Sequence, residues 1–156
     1  MITLERPGQD PLGIEYILID FEGTLAMDRR VDPKAKDKMN LLSRRTKIYV
    51  LTQEQDQVAE EMLKKVAAEV VHLKEGESSQ GKLNLLNELG PQRTVAIGNG
   101  LDDVAMVEKA GLGICVISRE GTASEMVEKA DLVVANILDA LDFLLKPLRQ
   151  KATLSR

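Results

Sequence analysis

The sequence predicts a doubly wound α/β fold, a parallel sheet with helices on both faces in three layers. Three observations carry that expectation. Apolar runs of strand length without polar alternation recur at 14–19, 47–52, 93–98 and 112–117, as in strands buried on both faces. Stretches with apolar residues at helical spacing separate them. Glycine, proline and small polar residues punctuate the junctions, as strand–helix alternation requires. Right-handed crossovers would then put the first strand mid-sheet, with the order reversing between it and the fourth in Rossmann-like fashion.

Residues 2–5 alternate apolar and polar before Pro7 and Gly8 and suggest an edge strand. The run 14–19, broken by Glu15, is the first central strand, with Asp20 at its carboxyl end. Residues 27–31 form a small flap, and Pro33 opens a helix to about Arg45 with Ala35, Met39 and Leu42 on one face. The second strand is 47–52. A helix over 56–66 aligns Val58, Met62 and Val66, and 69–73 is the third strand. A loop at 76–80 leads to a helix at 81–89, stopped by Gly90 and Pro91. The fourth strand (93–98), a helix (101–110), the fifth strand (112–117), a helix (122–129), a short strand (131–135) and a last helix (137–146), ended by Pro147, complete the chain. Beyond it, Lys146, Arg149, Lys151 and Arg156 occur without acids, so 147–156 is expected to be a solvated basic tail.

With 156 residues and 44% hydrophobic content, the chain suits one domain over 1–156. A net charge of −4 offers no electrostatic reason for nucleic acid. No apolar run reaches membrane-spanning length and the polar first ten residues do not resemble a signal peptide, so a soluble cytoplasmic protein is expected. Cys115 lies in an apolar strand with no basic neighbour, which suits an inert core thiol. His72 closes another strand and suits a structural role, so triad hydrolysis and histidine-rich zinc sites have little to draw on.

Polar groups gather instead where the strands end. Asp20 closes a buried strand at the edge where open α/β sheets place their ligand crevice; it could be a nucleophile or metal ligand, or simply cap the turn. Glu22 follows two residues on, and Gly23 permits a sharp exit from the strand. Thr52 ends the second strand, where a plain helix cap is an alternative. Lys82, expected in a helix's first turn, would face the positive end of the macrodipole, a conflict that a bound phosphate would resolve, although exposed lysines do occur there. Asn99, Asp102 and Asp103 stand at i, i+3 and i+4, so they can converge on one face or serve as a cap with first-turn acids.

The segment Asp20-Phe21-Glu22-Gly23-Thr24-Leu25 resembles the first motif of the haloacid dehalogenase (HAD) superfamily, Asp-x-Asp-Gly-Thr-Leu, found in phosphatases and P-type ATPases. Gly98-Asn99-Gly100-Leu101-Asp102-Asp103 resembles its fourth motif, Gly-Asp-Gly-x-Asn-Asp. Thr52 and Lys82 fall in order at the second and third. Segments 110–114, 130–134 and 146–154 also look like the phosphorylation domain of P-type ATPases or soluble relatives, so the resemblance covers about 14–154.

The resemblance implies a Mg²⁺-dependent phosphomonoesterase. Asp20 would form an aspartyl-phosphate that water hydrolyses, and Glu22 would act as acid and base. Gly23, Thr52 and Lys82 would hold the phosphoryl group, and Asp20, Glu22 (through its carbonyl), Asn99, Asp102 and Asp103 would serve the metal. Two positions depart from the pattern. Glu22 replaces an Asp and predicts slow or specialised turnover. Asn99 replaces a metal-binding Asp and predicts weaker metal affinity unless Asp102 or Asp103 ligates; the family pattern ranks Asp103 above Asp102. The gaps 25–51 and 53–81 leave no room for a cap or nucleotide-binding domain, so a homo-oligomeric neighbour or a large phosphorylated substrate would cover the site. The alternatives are a non-catalytic phosphate- or partner-binding module and a response-regulator receiver, which would need its phosphorylated Asp after the third strand, where His72-Leu73-Lys74 stands.

Overall fold

The computed structural model describes residues 1–156. Strands β1 (Ile2–Leu4) and β2 (Leu12–Ile14) pair antiparallel as a separate hairpin, so residues 2–5 do form a strand but not an edge of the main sheet. β3 (Tyr16–Asp20) follows, then the short pair β4 (Ala26–Met27) and β5 (Arg30–Val31), helix α1 (Pro33–Leu42), β6 (Lys47–Thr52), α2 (Val58–Met62), β7 (Glu69–His72) and α3 (Ser78–Leu89). The second half comprises β8 (Thr94–Gly98), α4 (Val104–Lys109), β9 (Leu112–Val116), α5 (Ser124–Lys129), β10 (Leu132–Val134), α6 (Ile137–Leu145) and α7 (Pro147–Leu154).

The six-stranded sheet runs β10-β9-β8-β3-β6-β7, parallel throughout. β3 lies between β6 and β8, the predicted switch point, which opens a crevice at the strands' carboxyl ends. That strand order excludes a receiver, which would be wound 2-1-3-4-5.

Both faces of the sheet are buried. Ile17, Ile19, Ile48, Val50, Val95 and Ile97 pack on the side of α1, α2 and α6, whereas Leu18, Leu51, Ala96 and Cys115 pack on the side of α3, α4 and α5. Fully burying Ile17, Leu18 and Ile19 contributes about 1.5–3 kcal/mol each, so the strand that carries Asp20 is firmly anchored. Cys115 is a free thiol wholly inside this core, and burial raises its pKa, as an inert thiol requires.

Several boundaries differ from expectation for local reasons. α1 stops at Leu42 because the Ser43 and Thr46 hydroxyls take the carbonyls of Asn40 and Leu42. α2 is shortened because Asn40 clamps the Lys65 carbonyl and the Ala67 amide, with Lys65 left-handed at φ 65°. The expected basic tail is a helix: Pro147 opens α7 rather than merely ending α6, since proline suits a first helical position. Gln150 is buried, donating to the carbonyls of Phe143 and Leu144 and accepting the Glu5 amide. It thereby satisfies the open carbonyls at the end of α6.

Candidate active site

The chain leaves β3 through a wide turn in which Leu25 N–H reaches Asp20 O and Ala26 N–H reaches Phe21 O, at 3.2 and 2.8 Å. Gly23 holds φ +78°, with Asn99 and Glu120 within 3.0–3.4 Å of where a Cβ would stand, so both the backbone and the crowding call for glycine. The expected flap is the β4–β5 hairpin, whose two-residue turn, Asp28-Arg29, is left-handed at both positions.

Asp20 ends β3 at the crevice, almost fully buried. Its Oδ1 accepts Lys82 Nζ at 2.9 Å, and its Oδ2 lies 3.1 Å from the Thr24 hydroxyl, competing for that group's single proton with the Asn99 amide oxygen. Lys82 comes from α3 and has no exposed surface. Its three protons go to three carboxylates: Asp20, Asp102 at 2.8 Å and Asp103 at 2.7 Å. α3 begins at Ser78, earlier than expected, which places Lys82 in the second turn. The anions that offset its charge are therefore these side chains, not a conflict at the helix end.

Asp103 is fully buried, and its Oδ2 accepts the amides of Asn99 and Gly100 at 3.0 and 3.1 Å. The geometry depends on Gly98, where a Cβ would lie 2.4 Å from the Asp103 Cγ. Asp102, partly exposed, accepts Ser78 and Gln53 as well as Lys82, all on Oδ2. Asn99 accepts the Thr24 hydroxyl at 2.8 Å and donates to the Gly121 carbonyl at 3.1 Å. The Thr52 hydroxyl donates to the Glu22 carboxylate.

The electrostatics follow from three carboxylates facing one ammonium. Burial raises the Asp20 pKa well above the usual carboxylate range, and the Asp103 charge adds to the effect against the pull of Lys82. Burial likewise raises Asp103. Burial disfavours the Lys82 charge, but the Asp20 and Asp103 carboxylates outweigh it and hold its pKa above the lysine range. Asp102 goes the other way: burial would raise it, but the hydrogen bond and charge of Lys82, helped by Ser78 and Gln53, leave it below its ordinary value.

Carboxylate oxygens of Asp20, Asp102 and Asp103 lie within 4.8 Å of one another. This hard-oxygen set, two negative charges in excess of Lys82, fits a divalent cation such as Mg²⁺. A cavity of about 220 Å³ opens beside it, lined by Asp20, Glu22, Gly23, Asn99, Asp102 and Glu120 among others. A second, of about 430 Å³, shares Glu22 and Gln53 and adds Glu54, Gln55 and Glu75.

The structure thus gathers Asp20, Lys82, Asn99, Asp102 and Asp103 into one connected cluster and places Glu22 with Thr52 at its rim. Gln53, Ser78 and Thr24 also join the cluster without having been assigned roles. Ser78 was legible as the residue one turn before Lys82 on the same face; Gln53 and Glu120 carried no local signal. His72 plays the structural part expected, bonded through its ring to the Glu54 carbonyl and the Glu60 carboxylate. No helix is long and apolar enough to cross a membrane.

No family model matches the chain. It is 44% identical over 84 residues to the uncharacterized protein MJ0073 of Methanocaldococcus jannaschii, a match spanning 51% of this chain and 90% of that protein. Among solved structures, it is similar to a protein assigned to the HAD family hydrolases from Streptomyces avermitilis, with TM-score 0.73, 21% identity and 92% of each chain covered. It is also similar to 3-deoxy-D-manno-octulosonate 8-phosphate phosphatase from Moraxella catarrhalis, solved with magnesium, phosphate and KDO (TM-score 0.71, 13% identity, 90% and 89% covered). The cobalt-bound deoxy-D-mannose-octulosonate 8-phosphate phosphatase of Haemophilus influenzae gives TM-score 0.68 at 13% identity, with 86% and 91% covered.

Proposed function

The chain belongs to one family with protein MJ0073 and carries the HAD-type fold, and from that premise we propose that it is a Mg²⁺-dependent phosphomonoester hydrolase working through an aspartyl-phosphate on Asp20. The observation that carries this reading is the placing of Asp20. It is a buried carboxylate at the carboxyl end of the central strand, held by Lys82 on one oxygen and Thr24 on the other, and it opens on a cavity shared with Asp102. The phosphatases of like fold, one with magnesium and phosphate, support the reaction class.

In this mechanism an Asp20 oxygen attacks phosphorus and the ester P–O bond breaks. Glu22 gives its proton to the departing oxygen, and then takes one from the water that hydrolyses the acyl phosphate. Lys82 neutralises charge on the nucleophile and phosphoryl oxygens, and Thr52 and the Gly23 turn steady those oxygens. Asp20, the Glu22 carbonyl and a side chain of the 98–103 loop, drawn from Asn99, Asp102 and Asp103, would hold Mg²⁺, which supplies charge neutralisation at the phosphoryl group. The reading includes the capless, P-type ATPase-like character of the chain, a cytoplasmic setting, and a homo-oligomeric neighbour or large phosphorylated substrate over the open cavity.

One observation favours a second reading, a phosphate- or partner-binding module: Thr52 and Lys82 are both engaged by carboxylates of the site itself. Hydrolysis of an aryl phosphate with Mg²⁺, with EDTA and in Asp20→Asn separates the two. Turnover that requires metal and Asp20 supports the hydrolase; its absence in folded protein supports the module.

A further inference from the structure

We infer that the residue of the 98–103 loop that takes the divalent cation is Asp102, and not Asn99 or Asp103; this rests on the metal-dependent reading above. The three candidates differ in what their oxygens are already doing. Asn99 is an uncharged amide held at both ends, its oxygen the nearer acceptor of the single Thr24 proton at 2.8 Å and its nitrogen donating to the Gly121 carbonyl. Both Asp103 oxygens are engaged, one by Lys82 and the other by two backbone amides; the residue has no exposed surface and does not line the cavity. Releasing Asp103 would orphan two amides and the Lys82 proton at the buried end of β8.

Asp102 is the opposite case. Lys82, Ser78 and Gln53 all donate to its Oδ2, which holds the side chain in place while Oδ1 accepts nothing. It is partly exposed and lines the cavity together with Asp20, whose Oδ2 is the more distant of the two acceptors competing for the one Thr24 proton. A hard cation is best served by a carboxylate oxygen that no donor occupies and that has a route from solvent, and among the side chains of this loop Asp102 alone offers both. Compared with the Gly-Asp-Gly-x-Asn-Asp pattern, acid and amide have exchanged places, so the loop keeps two carboxylates while the metal-facing one moves from position 99 to 102. Asp103 becomes a positioning residue that fixes Lys82 and the loop backbone.

Calorimetric titration of MgCl₂ into the full chain tests this, with thermal unfolding of each variant alongside. Asp102→Asn should weaken Mg²⁺ binding about tenfold or more in protein that thermal unfolding shows to be folded. The paired exchange Asn99→Asp with Asp102→Asn should recover most of the lost affinity. Asp103→Asn should bind Mg²⁺ within about threefold of the unmodified chain while melting lower, as expected of a group that positions rather than ligates; should it not fold, the Asp102 variants decide alone. Unchanged affinity in Asp102→Asn, or no Mg²⁺ binding by the unmodified chain, overturns the inference. Because binding is read without turnover, a chain that binds Mg²⁺ through Asp102 yet hydrolyses nothing rejects only the hydrolase reading. Asp20-dependent turnover with unchanged affinity in Asp102→Asn rejects only this inference.

Discussion

Thr52 gives its hydroxyl proton to the Glu22 carboxylate, and its oxygen accepts the Glu54 amide at 3.1 Å. The residue expected to steady a phosphoryl group is therefore tied to the residue expected to move protons, and Glu22 reaches it with a side chain one methylene longer than the resembling motif carries.

Glu22→Asp shortens that side chain and releases the Thr52 hydroxyl to the substrate. Since misplacement by about 1 Å can cost on the order of a hundredfold, steady-state phosphate release should rise about tenfold or more. An unchanged or lower rate would show that Glu22 is suited to its place.

Lys82 balances three carboxylates, so its two sides should respond oppositely to neutralisation. Lys82→Met leaves buried acids without their cation and should cost about 3–5 kcal/mol in urea denaturation. Asp20→Asn removes a charge that burial and Asp103 oppose and should raise the metal-free melting temperature by about 2–4 °C while abolishing turnover. A lower melting temperature for Asp20→Asn would refute the charge excess.

Gly98→Ala would set a Cβ 2.4–2.5 Å from Asp103 atoms. Neither the β8 backbone nor the fully buried carboxylate can yield cheaply, so a loss of about 1–3 kcal/mol is expected by chemical denaturation. Mg²⁺ affinity should fall too, because the 98–103 loop must shift.

His72 and Glu60 set a pH window away from the site. The hydrogen bond that the His72 ring donates to the Glu60 carboxylate raises the His72 pKa above its ordinary 6.5, so its contribution is complete below that value and is lost as pH rises through the raised one. The same bond lowers Glu60 below 4.5, so that contribution is present above 4.5 and fades as pH falls. The pair therefore contributes most between 4.5 and 6.5. Denaturation midpoints across pH should show His72→Gln flattening the decline above that window; a parallel profile would count against it.

Gln150→Ala removes the amide that joins α7 to the end of α6 and to Glu5. Leaving those buried backbone groups unpaired should cost about 1–3 kcal/mol, with hydrogen exchange rising first at the β1–β2 hairpin. Unchanged exchange there would show that the hairpin does not depend on Gln150.

The sequence by itself determined the alternation of strands and helices, the place of β3 in mid-sheet, and the order in which Asp20, Thr52, Lys82 and the 98–103 loop meet the crevice. Those features follow from local periodicity and from the handedness of crossovers, which act on any chain of this pattern. Tertiary structure alone decided how the polar groups are shared. That Lys82 spends its three protons on Asp20, Asp102 and Asp103, that Asn99 is held between Thr24 and Gly121, and that Gln150 turns an apparent basic tail into a docked helix all depend on partners far apart in the chain. Hydrogen-bonding capacity is finite and local sequence does not record where it is spent. Once β3, β8 and α3 converge, the oxygen left without a donor on Asp102 emerges from that competition.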